Sequence, residues 1–328
     1  MKLPVNVYIC EVAPRDGFQA ETNWIPTDKK VDIIRALATT GVSQIEVTSF
    51  VHPKAIPQLK DAEEVVARVR DLTGVTFRAL VPNVKGAQRA IAVGIKKLKL
   101  MLSATDSHSL SNANCKVEDA MRGFDPIVNV ANQNGVHVSG SISVAFGCPF
   151  EGVVPVDQIV RIVSSYREMG IGEISLADTT GMANSKQVYE YLDVLRSEFP
   201  DVLFSMHLHN TRGMALANAF AALQKGVTHF DASIAGLGGC PYAPGATGNV
   251  ATEDLVHSFE EMGVQTGVHL DTLLAVARQV KDVLGHDGGS FLLRAGTCSQ
   301  LYSLPTHQEK LNDEGVVRDG LSDFTWRA

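Results

Sequence analysis

Val31-Asp-Ile-Ile-Arg-Ala-Leu-Ala-Thr-Thr-Gly-Val-Ser-Gln-Ile-Glu-Val-Thr48 carries the unit from which the chain is built. Val31, Ile34 and Leu37 recur at helical spacing, Gly41 interrupts, and Val42 leads into an apolar run over 44–48. A glycine just past a helix end takes the left-handed conformation that other residues resist, so the helix stops and the next residue enters a sheet. The same junction recurs at Gly74-Val75, Gly94-Ile95, Gly135-Val136, Gly170-Ile171 and Gly226-Val227. The strands expected from it are 44–48, 76–81, 97–102, 137–143, 173–177 and 229–234. Residues 5–12, and 202–207 after Pro200, bring the number to eight. Helical patterns such as Val65-Val69 and Val188-Leu192-Leu195 separate them. Strict alternation of strand and helix requires parallel strands with helical crossovers. Eight such units in 328 residues predict a (β/α)8 barrel rather than an open doubly wound sheet.

Gly236-Leu-Gly-Gly239 resembles a dinucleotide fingerprint, but it lacks the third glycine and follows the last strand, where a nucleotide motif would follow an early one. Gly263 ends the eighth helix, 271–284 reads as an added helix, and Gly285-His-Asp-Gly-Gly289 as a loop. A single barrel domain with its appended helix is therefore expected over 1–302. The polar, aperiodic tail 303–328 reads as an arm or partly disordered segment.

A balance of 29 basic against 36 acidic residues, net −7, has no basic run longer than Lys96-Lys97-Leu98-Lys99, which argues against a nucleic-acid partner. No apolar run approaches the ~20 residues of a membrane span. Met1-Lys-Leu-Pro leads at once into Val5-Asn-Val-Tyr-Ile9, which reads as leaving no room for a signal or transit peptide. Five scattered cysteines without CxxC spacing read as reduced thiols, so a cytoplasmic protein is expected.

Placed on the eight-strand frame, the conspicuous polar residues fall at strand carboxyl ends. Arg15 and Asp16 follow the first strand, Glu46 and Ser49 close the second, and Asn83 follows the third. Asn114 sits in the loop after the fourth, Asp178 and Thr179 after the sixth, His207 and His209 end the seventh, and Cys240 and Asn249 follow the eighth. That is the face where barrel enzymes assemble their sites. His207 and His209 alternate on a strand and so project to one side, where two imidazoles can share a cation or can be core histidines bonded to backbone carbonyls. Asp16 and Asn249 would add oxygens, a set suited to Mg2+ or Mn2+. Asn249 also reads as the N-cap of the helix that follows, and both roles are compatible. Arg15 beside Asp16 is either a salt-bridged turn or a cation placed to stabilise an enolate oxygen. Glu46 reads as an acid orienting Asp16 or a ligand. Cys240 stands in the glycine- and proline-rich loop Ile234-Ala-Gly-Leu-Gly-Gly-Cys240-Pro-Tyr-Ala-Pro-Gly-Ala-Thr-Gly-Asn249, where a thiol can act as acid or base. Ser49, Asn83, Asn114, Asp178 and Thr179 are candidate cofactor-binding positions.

These residues, as Val12-Ala-Pro-Arg-Asp-Gly-Phe-Gln-Ala-Glu21, Glu46-Val-Thr-Ser-Phe50, Glu173-Ile-Ser-Leu-Ala-Asp-Thr179, His207-Leu-His-Asn-Thr-Arg-Gly213 and the cysteine loop, resemble the 3-hydroxy-3-methylglutaryl-CoA lyase family in order from about residue 5 to 298. The resemblance implies that Asp16, His207, His209 and Asn249 bind a divalent cation. It further implies that Arg15 stabilises an enolate, that Cys240 serves in proton transfer, that Glu46 is the motif acid, and that Asp16 or His207 is the base. The implied reaction is metal-dependent retro-aldol cleavage of a 3-hydroxy-3-methylacyl-CoA, most readily hydroxymethylglutaryl-CoA to acetoacetate and acetyl-CoA, by a homo-oligomer. The alternative is a Claisen-condensing acyltransferase that joins acetyl-CoA to a 2-oxo acid. Three stretches depart from the family: Ser139-Gly-Ser141 where Arg-Gly-Tyr is expected, Asn210-Thr211 where Asp-Thr is expected, and Gly285-His286-Asp287 where an Asn and a Lys are expected. The metal and proton residues are intact, and the parts that read the substrate have changed.

Overall fold

All six glycines of the helix-to-strand junctions have positive φ, from 62° at Gly135 to 97° at Gly94. The structure, a computed structural model, describes residues 2–239 and 248–302. Eight parallel strands follow as expected: β1 (Tyr8–Glu11), β2 (Gln44–Ser49), β3 (Thr76–Leu80), β4 (Lys97–Ser103), β5 (His137–Ser143), β6 (Glu173–Asp178), β7 (Leu203–Leu208) and β8 (His229–Ala232). Each pairs with its sequence neighbours. Tyr8 beside His229 joins the last strand to the first, so the barrel is closed and leaves no edge to pair elsewhere. The compact unit that holds it is Met1–Arg294.

Helices cover the outside. Thr27–Ala38 buries Val31, Ile34 and Leu37, the face read from the sequence, together with Ile33, and Ser185–Glu198 buries Val188, Leu192 and Leu195 as read. The added helix is Leu270–Leu284, and Gly285 with φ of 76° caps it. Three local features differ from expectation. The first strand starts at Tyr8, and ahead of it Asn6 makes only an isolated bridge to Gln265. Two short helices, Asp106–Ala113 and Val117–Arg122, fill the loop after β4. Gly147–Cys148 pairs antiparallel with Gly152–Val153 after β5. All are excursions from the frame, in loops or at its margin, where local sequence decides conformation.

The apolar core lies between strands and helices, where Ile9, Ile45, Leu98, Leu100, Ile174, Phe204 and Phe230 are buried. The barrel interior is different. A Cβ on Gly140 would stand 3.0 Å from the Tyr166 ring, so Gly140 faces the helices and its neighbours Ser139 and Ser141 face inward. Glu46, Arg78, Lys99 and Asp231, from β2, β3, β4 and β8, meet one another across that interior.

Two junction glycines separate backbone strain from steric exclusion. At Gly74 (φ 83°) a Cβ would meet nothing within 4 Å, whereas at Gly41 (φ 88°) it would lie 2.3 Å from the Gly267 carbonyl oxygen. Gly74→Ala is expected to cost about 1 kcal/mol and Gly41→Ala about 3 kcal/mol or more, read from urea midpoints; equal losses would contradict this packing.

Candidate metal and active site

The chain leaves β1 through a five-residue π-helical turn, Ala13–Gly17, in which the amides of Arg15 and Asp16 both donate to the Val12 carbonyl. Single π turns of this kind gather at functional sites because they re-aim side chains at a strand end. Arg15 and Asp16 are both buried here. At Gly17 a Cβ would stand 2.9 Å from Leu237 Cβ, so only glycine lets this turn press against the segment that follows β8. His207 lies within β7 and His209 one residue beyond it, and His209 is bridged to Asn249 in an antiparallel pair.

These four residues converge. The Nε2 atoms of His207 and His209 are 3.2 Å apart and lie 3.7 and 3.6 Å from Asp16 Oδ2. Potential ligand atoms of Asp16, His207 and His209 all fall within 4.8 Å of one another. The Asn249 amide donates from Nδ2 to Asp16 Oδ2 at 2.7 Å and to the Leu237 carbonyl at 3.0 Å. Its Oδ1 is buried without a hydrogen-bond partner among the described residues, as a neutral oxygen ligand to a cation would be. One carboxylate, two imidazoles and this oxygen fit a divalent cation. Asn249 is not the N-cap of the next helix. Helix Thr252–Glu261 starts three residues later with Ala251 at the cap, because Asn249 is held by the bridge to His209 and by Asp16.

Arg15 binds both acids of the site, Asp16 through Nη1 and Glu46 through Nε. Burial alone would raise the Asp16 carboxyl, but Arg15, then the two imidazoles and the Asn249 amide, hold it well below the usual carboxylate range. Below the mouth, Arg78 reaches Glu46 Oε2 at 2.6 Å and Asp231 Oδ2 at 2.8 Å. Lys99 reaches the same two oxygens at 3.4 and 2.9 Å. Asp231 Oδ2 also lies 3.2 Å from His207 Nδ1. Arg78, Lys99 and Asp231 were not anticipated from sequence. Their signal was charge in mid-strand, at positions where a parallel sheet covered on both faces reads as continuously apolar.

Of the remaining sequence candidates, Asn83, Asp178 and Thr179 make local side-chain bonds. The Ser49 hydroxyl is buried without a hydrogen-bond partner among the described residues. Asn83 caps helix Val84–Ala92 through Gly86, and Asn114 is exposed at the left-handed end of helix Asp106–Ala113. Asp178 accepts from the amides of Met182 and Ala183, and burial pushes its carboxyl up to about 6. Thr179 accepts from the Val144 amide. Among the departures, Ser139 donates to the Leu98 carbonyl, Asn210 accepts from the Ala215 amide, and His286 meets Glu21 at 3.0 Å. Cys240 lies outside the described residues.

A closed (β/α)8 barrel with such a cluster at the carboxyl ends of its strands defines a candidate divalent-metal enzyme. Residues 6–280 match the HMGL-like family model, and the chain belongs to this family of carbon–carbon lyases. It is 44% identical over 285 residues to the hydroxymethylglutaryl-CoA lyase YngG of Bacillus subtilis, covering 87% of this chain and 95% of that one. It is 39% identical over 295 residues to a 3-hydroxy-3-isohexenylglutaryl-CoA/hydroxymethylglutaryl-CoA lyase of Pseudomonas aeruginosa, covering 90% and 98%. An HMG-CoA lyase from Acinetobacter baumannii, solved with coenzyme A and 3-methylmalate, superposes with a TM-score of 0.88 at 43% identity, covering 93% and 100%. The family is divalent-metal dependent.

Two further buried acids hold the base of the cysteine loop. Glu11 accepts from the amides of Ala13 and Ile234 and from the Thr252 hydroxyl, and Glu253 accepts from the Ala235 amide. Burial pushes Glu11 from 4.5 up to about 7 and Glu253 from 4.5 up to about 8. Each keeps its proton in the folded protein at a pH where the unfolded chain has lost it. Stability from both is complete below about pH 4.5 and falls as pH climbs through 7 and 8. Glu253→Gln is expected to flatten the decline of thermal midpoint between pH 5 and 8; an unchanged slope would show that Glu253 is ionised throughout.

Proposed function

We propose that this protein cleaves 3-hydroxy-3-methylglutaryl-CoA to acetoacetate and acetyl-CoA, with a divalent cation held by Asp16, His207, His209 and Asn249. The observation that carries the reading is the convergence of those side chains, with the unpartnered Asn249 Oδ1 among them. The substrate follows from the relatives, which are named as lyases of this thioester. When bound, the cation lowers the pKa of the substrate's tertiary hydroxyl and draws charge from its oxygens.

The chain's own residues supply the rest. The hydroxyl proton passes to one of two basic groups at the mouth, Asp16 or His207. The C2–C3 bond then breaks, its electron pair becoming a thioester enolate while C3 becomes the ketone of acetoacetate. Arg15 is bound to Asp16 and Glu46 through Nη1 and Nε, and its Nη2 makes no hydrogen bond among the described residues. That leaves a buried cationic donor for the enolate oxygen. Cys240, four residues beyond the pinned turn at Ile234–Gly236, gives the proton that converts the enolate carbon to the methyl of acetyl-CoA. We assign the protein to the cytoplasm, a placement that suits the free thiols of Cys10, Cys115 and Cys148. Among the described residues no helix is long and apolar enough to cross a membrane.

Incubation with hydroxymethylglutaryl-CoA and Mg2+ or Mn2+ is expected to give equal amounts of acetoacetate and acetyl-CoA. A chelator should abolish turnover and either cation should restore it. Cys240→Ser should lower kcat about a hundredfold with little change in KM. Failure to cleave any 3-hydroxyacyl-CoA would overturn the reading, and unchanged turnover in Cys240→Ser would remove the thiol from it.

A further inference from the structure

We propose that Arg78 and Lys99 are positioning residues for the metal site. They hold Asp231 against His207 Nδ1, and thereby commit His207 Nε2 to the barrel mouth. The inference rests on the metal reading above and adds residues that lie a full layer beneath it.

The geometry is a closed ring. Arg78 and Lys99 each touch both Glu46 Oε2 and Asp231 Oδ2, at distances from 2.6 to 3.4 Å, and all four side chains are buried. Asp231 Oδ2 is where the ring meets the site, since it receives Arg78, Lys99 and His207 Nδ1 together. A carboxylate oxygen gripped by two cations carries no proton to donate, so its contact with Nδ1 is an N–H donated by the ring nitrogen. Nε2 is then left as the lone-pair nitrogen. It lies 3.2 Å from His209 Nε2 and 3.7 Å from Asp16 Oδ2, at the candidate cation position. Glu46 closes the other side of the ring and binds Arg15, so both cations are also connected to the carboxylate and guanidinium of the mouth.

The topology explains why these two side chains are needed. Strand β4, which carries Lys99, lies opposite β8, which carries Asp231, in the barrel order, so only a long side chain with a charged tip spans the interior. Ser139, the partner of Lys99 in the β4–β5 register, is small and inward-facing. An acid on β8 without those tips would be a buried charge beneath the site and would turn from the imidazole to whatever cation it could find. Outer partners of a metal-bound histidine fix its tautomer and ring plane, and their loss weakens metal binding roughly 10- to 100-fold.

The test is Mn2+ titration of the full chain by electron paramagnetic resonance or calorimetry, with no substrate present. Wild type is expected to bind one Mn2+. Lys99→Met should weaken that binding about tenfold or more, while Lys99→Arg, which keeps length and charge, should stay within about threefold. Lys99→Met/Asp231→Leu replaces the pair by apolar groups of similar reach and leaves the buried charges balanced, so it recovers thermal stability. It still lacks the acceptor for Nδ1, and its Mn2+ affinity should remain as weak as that of Lys99→Met. Wild-type affinity in Lys99→Met, or affinity recovered together with stability in the double variant, overturns the inference; where Lys99→Met does not fold, the double variant decides. A wild-type protein that binds no Mn2+ would instead refute the metal reading itself.

Discussion

A single carboxylate, Asp16, ties the mouth of this barrel together. It receives the Arg15 guanidinium from its own turn, the Asn249 amide from the far end of the cysteine loop, and faces the imidazoles of His207 in β7 and His209 just beyond it. Removing a carboxylate from water costs several kcal/mol, and one opposite charge at about 4 Å returns about 4 kcal/mol at the effective dielectric of such sites. A lone ion pair would therefore roughly break even. The cluster persists because Glu46 and Asp231 each have more than one cation and each cation has more than one acid, while Asp16 shares Arg15 with Glu46 and gains the Asn249 amide.

That charge balance moves the burden of stability elsewhere. Barrels of this class usually fill their interior with layers of branched apolar side chains. Here the interior layer holds two acids, two long cations and serines, and the hydrophobic driving force comes from the shell between strands and helices. The outward faces of the strands and the inward faces of the helices are close to uniformly apolar. The interior is thereby freed from packing duty and can position charge under a catalytic mouth.

The frame was legible because backbone chemistry wrote it. The six junction glycines name their own conformation, and eight apolar runs between helical patterns admit few arrangements. The ligand cluster was legible for a related reason: Asp16, His207, His209 and Asn249 sit at strand carboxyl ends, so the strand count alone brings them to one face. Arg78, Lys99 and Asp231 escaped because they lie inside strands, where sequence gives alternation but not which alternate face closes on the axis. The cap reading of Asn249 failed because local propensity weighs a residue against its own helix, and here contacts from β7 and the first turn take precedence. Conversely, Asn83, which a strand-end position nominates for the site, caps its own helix.

The cysteine loop and the ligand cluster share one constraint. A Cβ on Gly248 would lie 1.9 Å from the Gly236 carbonyl oxygen, and one on Gly238, whose φ is 116°, would lie 2.6 Å from Asn249 Nδ2. The two arms of the loop thus touch backbone to backbone, and Asn249 stitches them through the Leu237 carbonyl. Glu11 and Glu253 clamp the turn Ile234–Gly236 just below, where Ala235 is held at φ of 56°. Side chains at the neck would push the arms apart and carry Asn249 away from Asp16. The glycines are therefore required by close approach as much as by flexibility. Any displacement of the neck is also a displacement of the Asn249 oxygen, so the segment that leads to Cys240 and the candidate cation site are mechanically a single part.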